Sequence, residues 1–332
     1  MAEIILGMAS PHAFGGGTPL QMEANRQKDM TDRRMNYADL LERARAERPW
    51  LEAEVTVEKM QDRYDRAMAG VQALGDLLRE AAPDVLVVVG DDQKEQFQDD
   101  LMPMFCVFRG ETLPTRRNRE ARGQTGSRSW DSSLWDRVRM EEGAEERYAP
   151  EQPAMPALGE HLVNFLADEE FDIAASNQMK PAVGLGHAFT FVYQHLLPEG
   201  GMPMLPVMVN TFFRPNNPRP ARAYAFGQAL RRGIEAWESD ARVAVLASGG
   251  LSHTVVDEEM DRILLEGIVE NNAEQLRSLP MARLRNGTSE LLNWIVLAGA
   301  MEDRDFSFLL DYMPSYRTEA GTGNGLAIGC WS

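Results

Sequence analysis

Histidine is scarce in this chain of 332 residues, five in all: His12, His161, His187, His195 and His253. Two of them stand just after apolar runs. His12 follows Ile4 to Ala9, and His253 follows Val243 to Ala247 by way of Ser248-Gly249-Gly250-Leu251-Ser252. A third run, Val85 to Val89, opens into Gly90-Asp91-Asp92-Gln93. Imidazole titrates near neutrality and, when neutral, ligates divalent metals. Carboxylates beside it can share a metal or move protons. Each residue also has a plainer use. A loop histidine is usually a satisfied polar group, Asp91 and Asp92 could cap a helix, and Gly249-Gly250 could be a tight turn. The recurrence of polar clusters after separate apolar runs is what singles them out. Residue types alone lead to a metal or acid–base site, and no further.

The elements that must position these groups are legible in the hydrophobic pattern. Ile4 to Ala9, Val85 to Val89, Phe171 to Ala175 and Val243 to Ala247 read as strands covered on both faces, because they are short continuous apolar runs. Met60, Tyr64, Met68, Val71, Leu74 and Leu78 share one helical face that Pro83 ends. Leu158–Leu166, Ala221–Trp237, Glu258–Leu276 and Ser289–Ala300 also read as helices, the last with Thr288 or Ser289 as its cap. Alternating strands and helices predict an α/β fold, a central sheet flanked by helices on both faces. In such sheets ligands bind beyond the carboxyl ends of the strands. The expected site is therefore at one sheet edge, where the loops bearing His12, Asp91 and His253 converge. A single catalytic domain over 1–332 is expected, with surface insertions at about 20–55 and 109–150. A long stretch of this kind can serve as a lid or a subunit contact.

Composition narrows the function classes. Lys and Arg number 34 against 51 Asp and Glu, a net charge of −17. So acidic a chain is poorly suited to nucleic-acid phosphates or an anionic membrane surface. Two cysteines, Cys106 and Cys330, exclude a disulfide framework and a cysteine-based zinc site. The N-terminus, with Glu3 and no basic start, reads as a buried strand and not a signal peptide. A cytoplasmic location is expected.

At the candidate residues the sequence resembles the class III extradiol ring-cleavage dioxygenases, of the protocatechuate 4,5-dioxygenase catalytic subunit, gallate and 3-O-methylgallate dioxygenase type. The matching pieces run in order from Ser10-Pro11-His12 through Gly90-Asp91-Asp92-Gln93 and Asn177-Gln178-Met179 with His187 downstream. They continue with Gly249-Gly250-Leu251-Ser252-His253, Glu290-Leu291-Leu292-Asn293-Trp294 and Tyr316-Arg317-Thr318-Glu319-Ala320-Gly321-Thr322-Gly323. The resemblance implies a mononuclear iron(II) held by two histidines and a glutamate, with open positions for a catechol and dioxygen. His12 and Glu290 match two of those ligands. His253 matches the acid–base histidine, and His187 matches a second histidine lining the substrate pocket. Arg317, Tyr316 and Thr322 are the implied anchors for a substrate carboxylate.

One position departs from that pattern. Where the resemblance implies the second histidine ligand, this chain has Gln93. Three explanations stay open. Gln93 ligates through its carbonyl oxygen; Asp91 or Asp92 replaces it; or the metal is changed or lost, with Mn(II) or another divalent ion favoured by a carboxylate-richer site. The expected function is oxidative opening of a catechol- or gallate-like aromatic acid by dioxygen. The alternative is a metal-dependent hydrolase or other non-oxygenase on the same scaffold, and a third reading is a non-catalytic binding protein. The expected partners are a small aromatic substrate and dioxygen, with room for a homodimer.

Overall fold

A computed structural model describes residues 1–115, 131, 133–134, 137, 151–180 and 183–332. Most of the expected 109–150 insertion lies outside the described residues.

The strands are β1 (Glu3–Ser10), β2 (Val85–Asp91), β3 (Phe105–Phe108), β4 (Thr112–Pro114), β5 (Glu151–Pro153), β6 (Ile173–Ser176), β7 (Met204–Val209), β8 (Arg242–Ser248), β9 (His253–Val255), β10 (Phe306–Tyr316) and β11 (Thr322–Trp331). The helices are α1 (Pro19–Thr31), α2 (Tyr37–Glu47), α3 (Val57–Ala81), α4 (Pro156–Asp168), α5 (His187–Phe191), α6 (Pro220–Ala236), α7 (Glu258–Val269), α8 (Ala273–Arg277) and α9 (Leu291–Ala300). The main sheet has the order β10-β11-β1-β8-β2-β7-β3-β6, with β9 added to β11. β1, β8, β2 and β7 are parallel neighbours, whereas β11 runs antiparallel to β1, β10 and β9. β3 is antiparallel to β7 and parallel to β6.

The alternation of side chains along a strand explains the two cores. On β2, Val85, Val87 and Val89 face a core built with α4, α6, α7 and α9. Leu86 and Val88 face the other side, against α3 and α5. Helices cover both faces, as the sequence pattern predicts. Because β1, β8 and β2 lie side by side in parallel, their carboxyl ends form one row. That row carries Pro11-His12, Gly249-Gly250 and Asp91-Asp92-Gln93.

Several expectations are corrected. The single helix expected over 258–276 is two, because Glu270–Asn272 break it and Asn271 adopts a left-handed φ of 50°. Neither Thr288 nor Ser289 caps α9. A 3-10 turn, Asn286–Glu290, leads into it, and these hydroxyls bond His253 and Asn286 instead. Residues within 20–55 include α1, α2 and a 3-10 turn over Pro49–Glu54. α1 begins with a capping box, Thr18 accepting from Gln21 N while the Gln21 side chain accepts from Thr18 N. No helix among the described residues is long and apolar enough to cross a membrane.

Candidate metal centre and active site

His12 is delivered by the end of β1, and its tautomer follows from its neighbours. Ser248 Oγ donates to the Ala188 carbonyl at 2.6 Å. The 3.3 Å contact between Ser248 Oγ and His12 Nδ1 must then be made by the imidazole N–H. The lone pair of His12 is thereby fixed on Nε2, which points at Glu290 Oε2, 3.5 Å away.

His187 opens α5. Its backbone N–H and Nδ1 both reach the Glu95 carboxylate, Nδ1 at 2.7 Å. A carboxylate on one ring nitrogen aims the other, as is usual for metal-bound histidine. Here the other nitrogen, Nε2, is buried without a hydrogen-bond partner and lies 3.8 Å from Asp91 Oδ2. Burial opposes charge on this ring, but Glu95 and Asp91 outweigh it and raise its pKa to about 9.

Asp91 ends β2 and is fully buried. Its Oδ1 also lacks a partner. His12, Asp91 and His187 offer ligand atoms that all lie within 4.8 Å of one another. Two imidazoles and a carboxylate are a donor set that holds a divalent transition metal with positions left open. Two buried polar atoms without partners, His187 Nε2 and Asp91 Oδ1, fit that use, since each would otherwise carry an unmet desolvation cost. The residues present therefore fit a metal.

Glu290 sits where the 3-10 turn meets α9, 1% exposed. Its Oε2 accepts from Gly250 N at 2.9 Å and faces His253 Nε2 at 3.3 Å. His253 Nδ1 contacts the Leu251 carbonyl at 2.7 Å, so Nδ1 carries the proton and Nε2 the lone pair. The lone pairs of His12 and His253 thus converge on one carboxylate oxygen, an arrangement that calls for a proton or a cation between them. Burial, with Asp91 adding to it, raises the Glu290 pKa well above the carboxylate range. Burial likewise raises that of Asp91. His12 is held well below the usual histidine range, first by burial and then by His187 and His253. Burial pulls His253 down to about 4, with Arg317 and Lys28 contributing. The His253 ring is therefore neutral at pH 7.

His253 is clamped between two glycines. A Cβ on Gly250 would lie 2.2 Å from His253 Cε1, and one on Gly287 would lie 2.1 Å from His253 Cβ. The next residue, Thr254, has a φ of 71°, an uncommon conformation for a β-branched side chain.

Gln93 is at the site, but through its nitrogen. Its Nε2 donates to Asp91 Oδ2 at 3.1 Å and to Glu290 Oε1 at 3.3 Å. With carboxylates on that side, the amide must present N–H and not the carbonyl. Asp92 points elsewhere and caps the loop through the N–H groups of Gln96 and Phe97. Burial raises its pKa to about 6.

The expected carboxylate anchors divide. The Tyr316 hydroxyl donates to Glu258 at 2.5 Å beneath Trp50, and Thr322 Oγ1 pairs with Thr318 Oγ1 at 2.8 Å. Both side chains are committed to interior contacts, so the structure does not bring them to the site. Arg317 bonds Asp29 Oδ2 at 2.8 Å and Asn324 Oδ1 at 2.7 Å. Asn324 in turn donates to the Ala13 carbonyl and pairs in register with His253. Arg317 thereby braces the loops of His12 and His253.

A comparison with family models matches residues 48–322 to the catalytic LigB subunit of aromatic ring-opening dioxygenase. The chain belongs to this family. His12 lies before the matched LigB-family segment, and Asp91, His187, His253 and Glu290 lie within it. A 2,3-dihydroxyphenylpropionate/2,3-dihydroxicinnamic acid 1,2-dioxygenase from Rhodococcus globerulus is 30% identical over 209 residues, 61% of this chain and 55% of that protein. A gallate dioxygenase from Pseudomonas putida is 30% identical over 175 residues, 48% of this chain and 50% of that protein. The chain spans about half the length of these relatives.

Sequence reasoning passed over Glu95, Ser248 and Asn324. Glu95 stands two residues beyond Gln93 in the same polar loop, which was a usable signal. Ser248 and Asn324 carried none, because their roles depend on contacts across 60 and 311 residues.

Proposed function

We propose that this LigB-family chain opens the ring of a dihydroxylated or trihydroxylated aromatic acid with dioxygen, at a mononuclear iron(II) centre. His12, His187 and Asp91 would hold the metal, with Glu290 beside them. The observation that carries this reading is the convergence of two oriented imidazole nitrogens, those of His12 and His187, on the buried Asp91 carboxylate. A neutral histidine stands one contact away. In this reading His187 takes the place that the resemblance gives to a histidine at Gln93. Gln93 instead holds Asp91 and Glu290 in position through its amide N–H.

When bound, the metal would bring the diol oxygens and dioxygen together and let electrons pass between them. The chain supplies the rest. His253 Nε2 carries a lone pair at neutral pH and accepts a proton from a substrate hydroxyl, while its Nδ1–H remains on the Leu251 carbonyl. Reversal of that transfer returns the proton to the opened product. Glu290 Oε2, in contact with both His12 and His253, holds the two rings in register. Arg317 and Asn324 keep the two loops from drifting apart.

The test is metal analysis of protein purified without oxygen, followed by oxygen uptake with a panel of catechols and gallates. Iron with uptake is the expected result. Another metal without uptake would favour a hydrolytic or other non-oxygenase reaction, and no metal at all would favour a binding protein.

A further inference from the structure

A cavity of about 590 Å³ opens outward from the catalytic histidine. His253 and Thr288 form part of its wall, so it is continuous with the site already described. Its lining also includes Leu40 and Arg43 of α2 with the flanking Met35 and Arg48. A benzene ring fills a cavity of about 150 Å³. A space of 590 Å³ suits something appended to a ring.

Its charge is unusual for this molecule. Three acidic residues line it, and all are engaged: Asp257 and Glu259 with Arg283, Glu258 with Arg262 and Tyr316. Four arginines line it, and besides the paired Arg283 these are Arg43, Arg48 and Arg285. None of the three makes an ion pair among the described residues; Arg43 donates only to the Asp39 carbonyl. In a chain with net charge −17, three uncompensated guanidinium groups around one hollow form a local anion trap. Met35, Leu40, Val255 and Val256 supply apolar wall in the same cavity.

We propose that this cavity is an anion subsite that takes a side chain ending in a carboxylate, carried on the diol ring of the substrate. The proposal rests on the ring-opening reading and adds to it a distal specificity element. Arg43 lies outside the segment matched to the family. The apolar wall accommodates the linker of the side chain, and the guanidinium groups of Arg43 and Arg285 bind its carboxylate. Charged substrates are thereby distinguished from bare catechol at a point remote from the chemistry.

The experiment uses two probes and two readouts on the metal-loaded protein. Titration calorimetry measures binding of 3-phenylpropionate, which has the side chain but no diol, against its neutral counterpart 3-phenylpropanol. Oxygen uptake gives kcat/KM for 3-(2,3-dihydroxyphenyl)propionate relative to catechol. Wild type is expected to bind the acid at least ~10-fold more tightly than the alcohol, and Arg285→Gln or Arg43→Gln to reduce that preference by roughly 5–10-fold, the scale of one lost hydrogen bond of ordinary strength. The kcat/KM ratio falls by the same factor. Arg285→Lys retains most of the preference, and Arg232→Gln, on the far surface of α6, retains all of it. Equal binding of acid and alcohol, or an unchanged ratio in both glutamine variants, overturns the subsite. If no substrate is opened yet the acid binds and Arg285→Gln weakens it, the subsite stands and the ring-opening reading fails.

Discussion

Replacing Gly250 with alanine displaces His253 without removing it. The added Cβ would lie 2.2 Å from His253 Cε1 and 2.9 Å from Nε2. Ordinary van der Waals contact begins near 3.4 Å, so the ring edge must retreat by 3.4 − 2.2, or about 1.2 Å. The ring cannot turn freely, because rotation breaks its 2.7 Å contact with the Leu251 carbonyl and swings Nε2 away from Glu290. A displacement of about 1 Å at a reacting group costs on the order of 10²-fold in rate, or about 2.7 kcal/mol of barrier. The backbone tolerates the change. Gly250 does not have a positive φ, its N–H still reaches Glu290, and alanine restricts the unfolded chain, a gain of ~0.4–1 kcal/mol that offsets part of the clash. Steady-state oxygen uptake should therefore show kcat reduced about 100-fold, with wild-type metal content and a melting temperature close to wild type. Gly287→Ala, pressing on the same histidine from its other side, should act in the same direction. If Gly250→Ala turns over within about threefold of wild type, the position of His253 does not govern the rate and the proton-transfer role is wrong.

Four further outcomes are expected. His187→Ala should empty the metal site, measured by elemental analysis; full metal with slow turnover would return His187 to a pocket role. Ser248→Ala removes the acceptor that sets the His12 tautomer and should weaken metal binding by roughly 10–100-fold in chelator competition, whereas unchanged competition would show that His12 needs no such partner. Gln93→His adds an imidazole beside Asp91 and Glu290 and should slow loss of iron to a chelator, and equal loss rates would count against any metal-facing place for residue 93. Asp261 is buried and accepts from Ser252 N, Ser252 Oγ and Tyr312; burial raises its pKa to about 7. The folded state therefore holds this proton while the unfolded chain has released it, and stability falls as pH rises from about 4 through about 7, by up to about 4 kcal/mol. Asp261→Asn should remove that slope in urea unfolding at pH 5 and pH 8, and parallel pH profiles for the two proteins would refute it.

Fold class was legible because it is written in local periodicity. A short, β-branched run such as Val85–Val89 fits a strand covered on both faces, and the 3.6-residue spacing from Met60 to Leu78 fits one face of a helix. The polar groups that end those strands, His12, Asp91 and the loop to His253, were recognisable for the same reason. Strands β3, β7, β10 and β11 are not legible in the sequence, since short or mixed segments carry no pattern that separates them from loops or helices. The parallel order β1-β8-β2, which puts three distant loops in one row, was set by packing and not by any of the three segments.

The site shows the same division at the scale of single atoms. Gln93 and His187 were both recognised as site residues, but sequence cannot say which way a side chain points. That direction is decided by partners: Asp91 and Glu290 draw the Gln93 amide nitrogen inward, and Glu95, 92 residues from His187, turns its Nε2 toward Asp91. Tyr316 and Thr322 lie beside Arg317 in a suggestive motif, yet burial against Trp50 and Thr318 removed both from the site. Residue types and their order are local properties of the chain. Tautomer, orientation and charge state are properties of an environment that exists only once strands remote in sequence have been packed together.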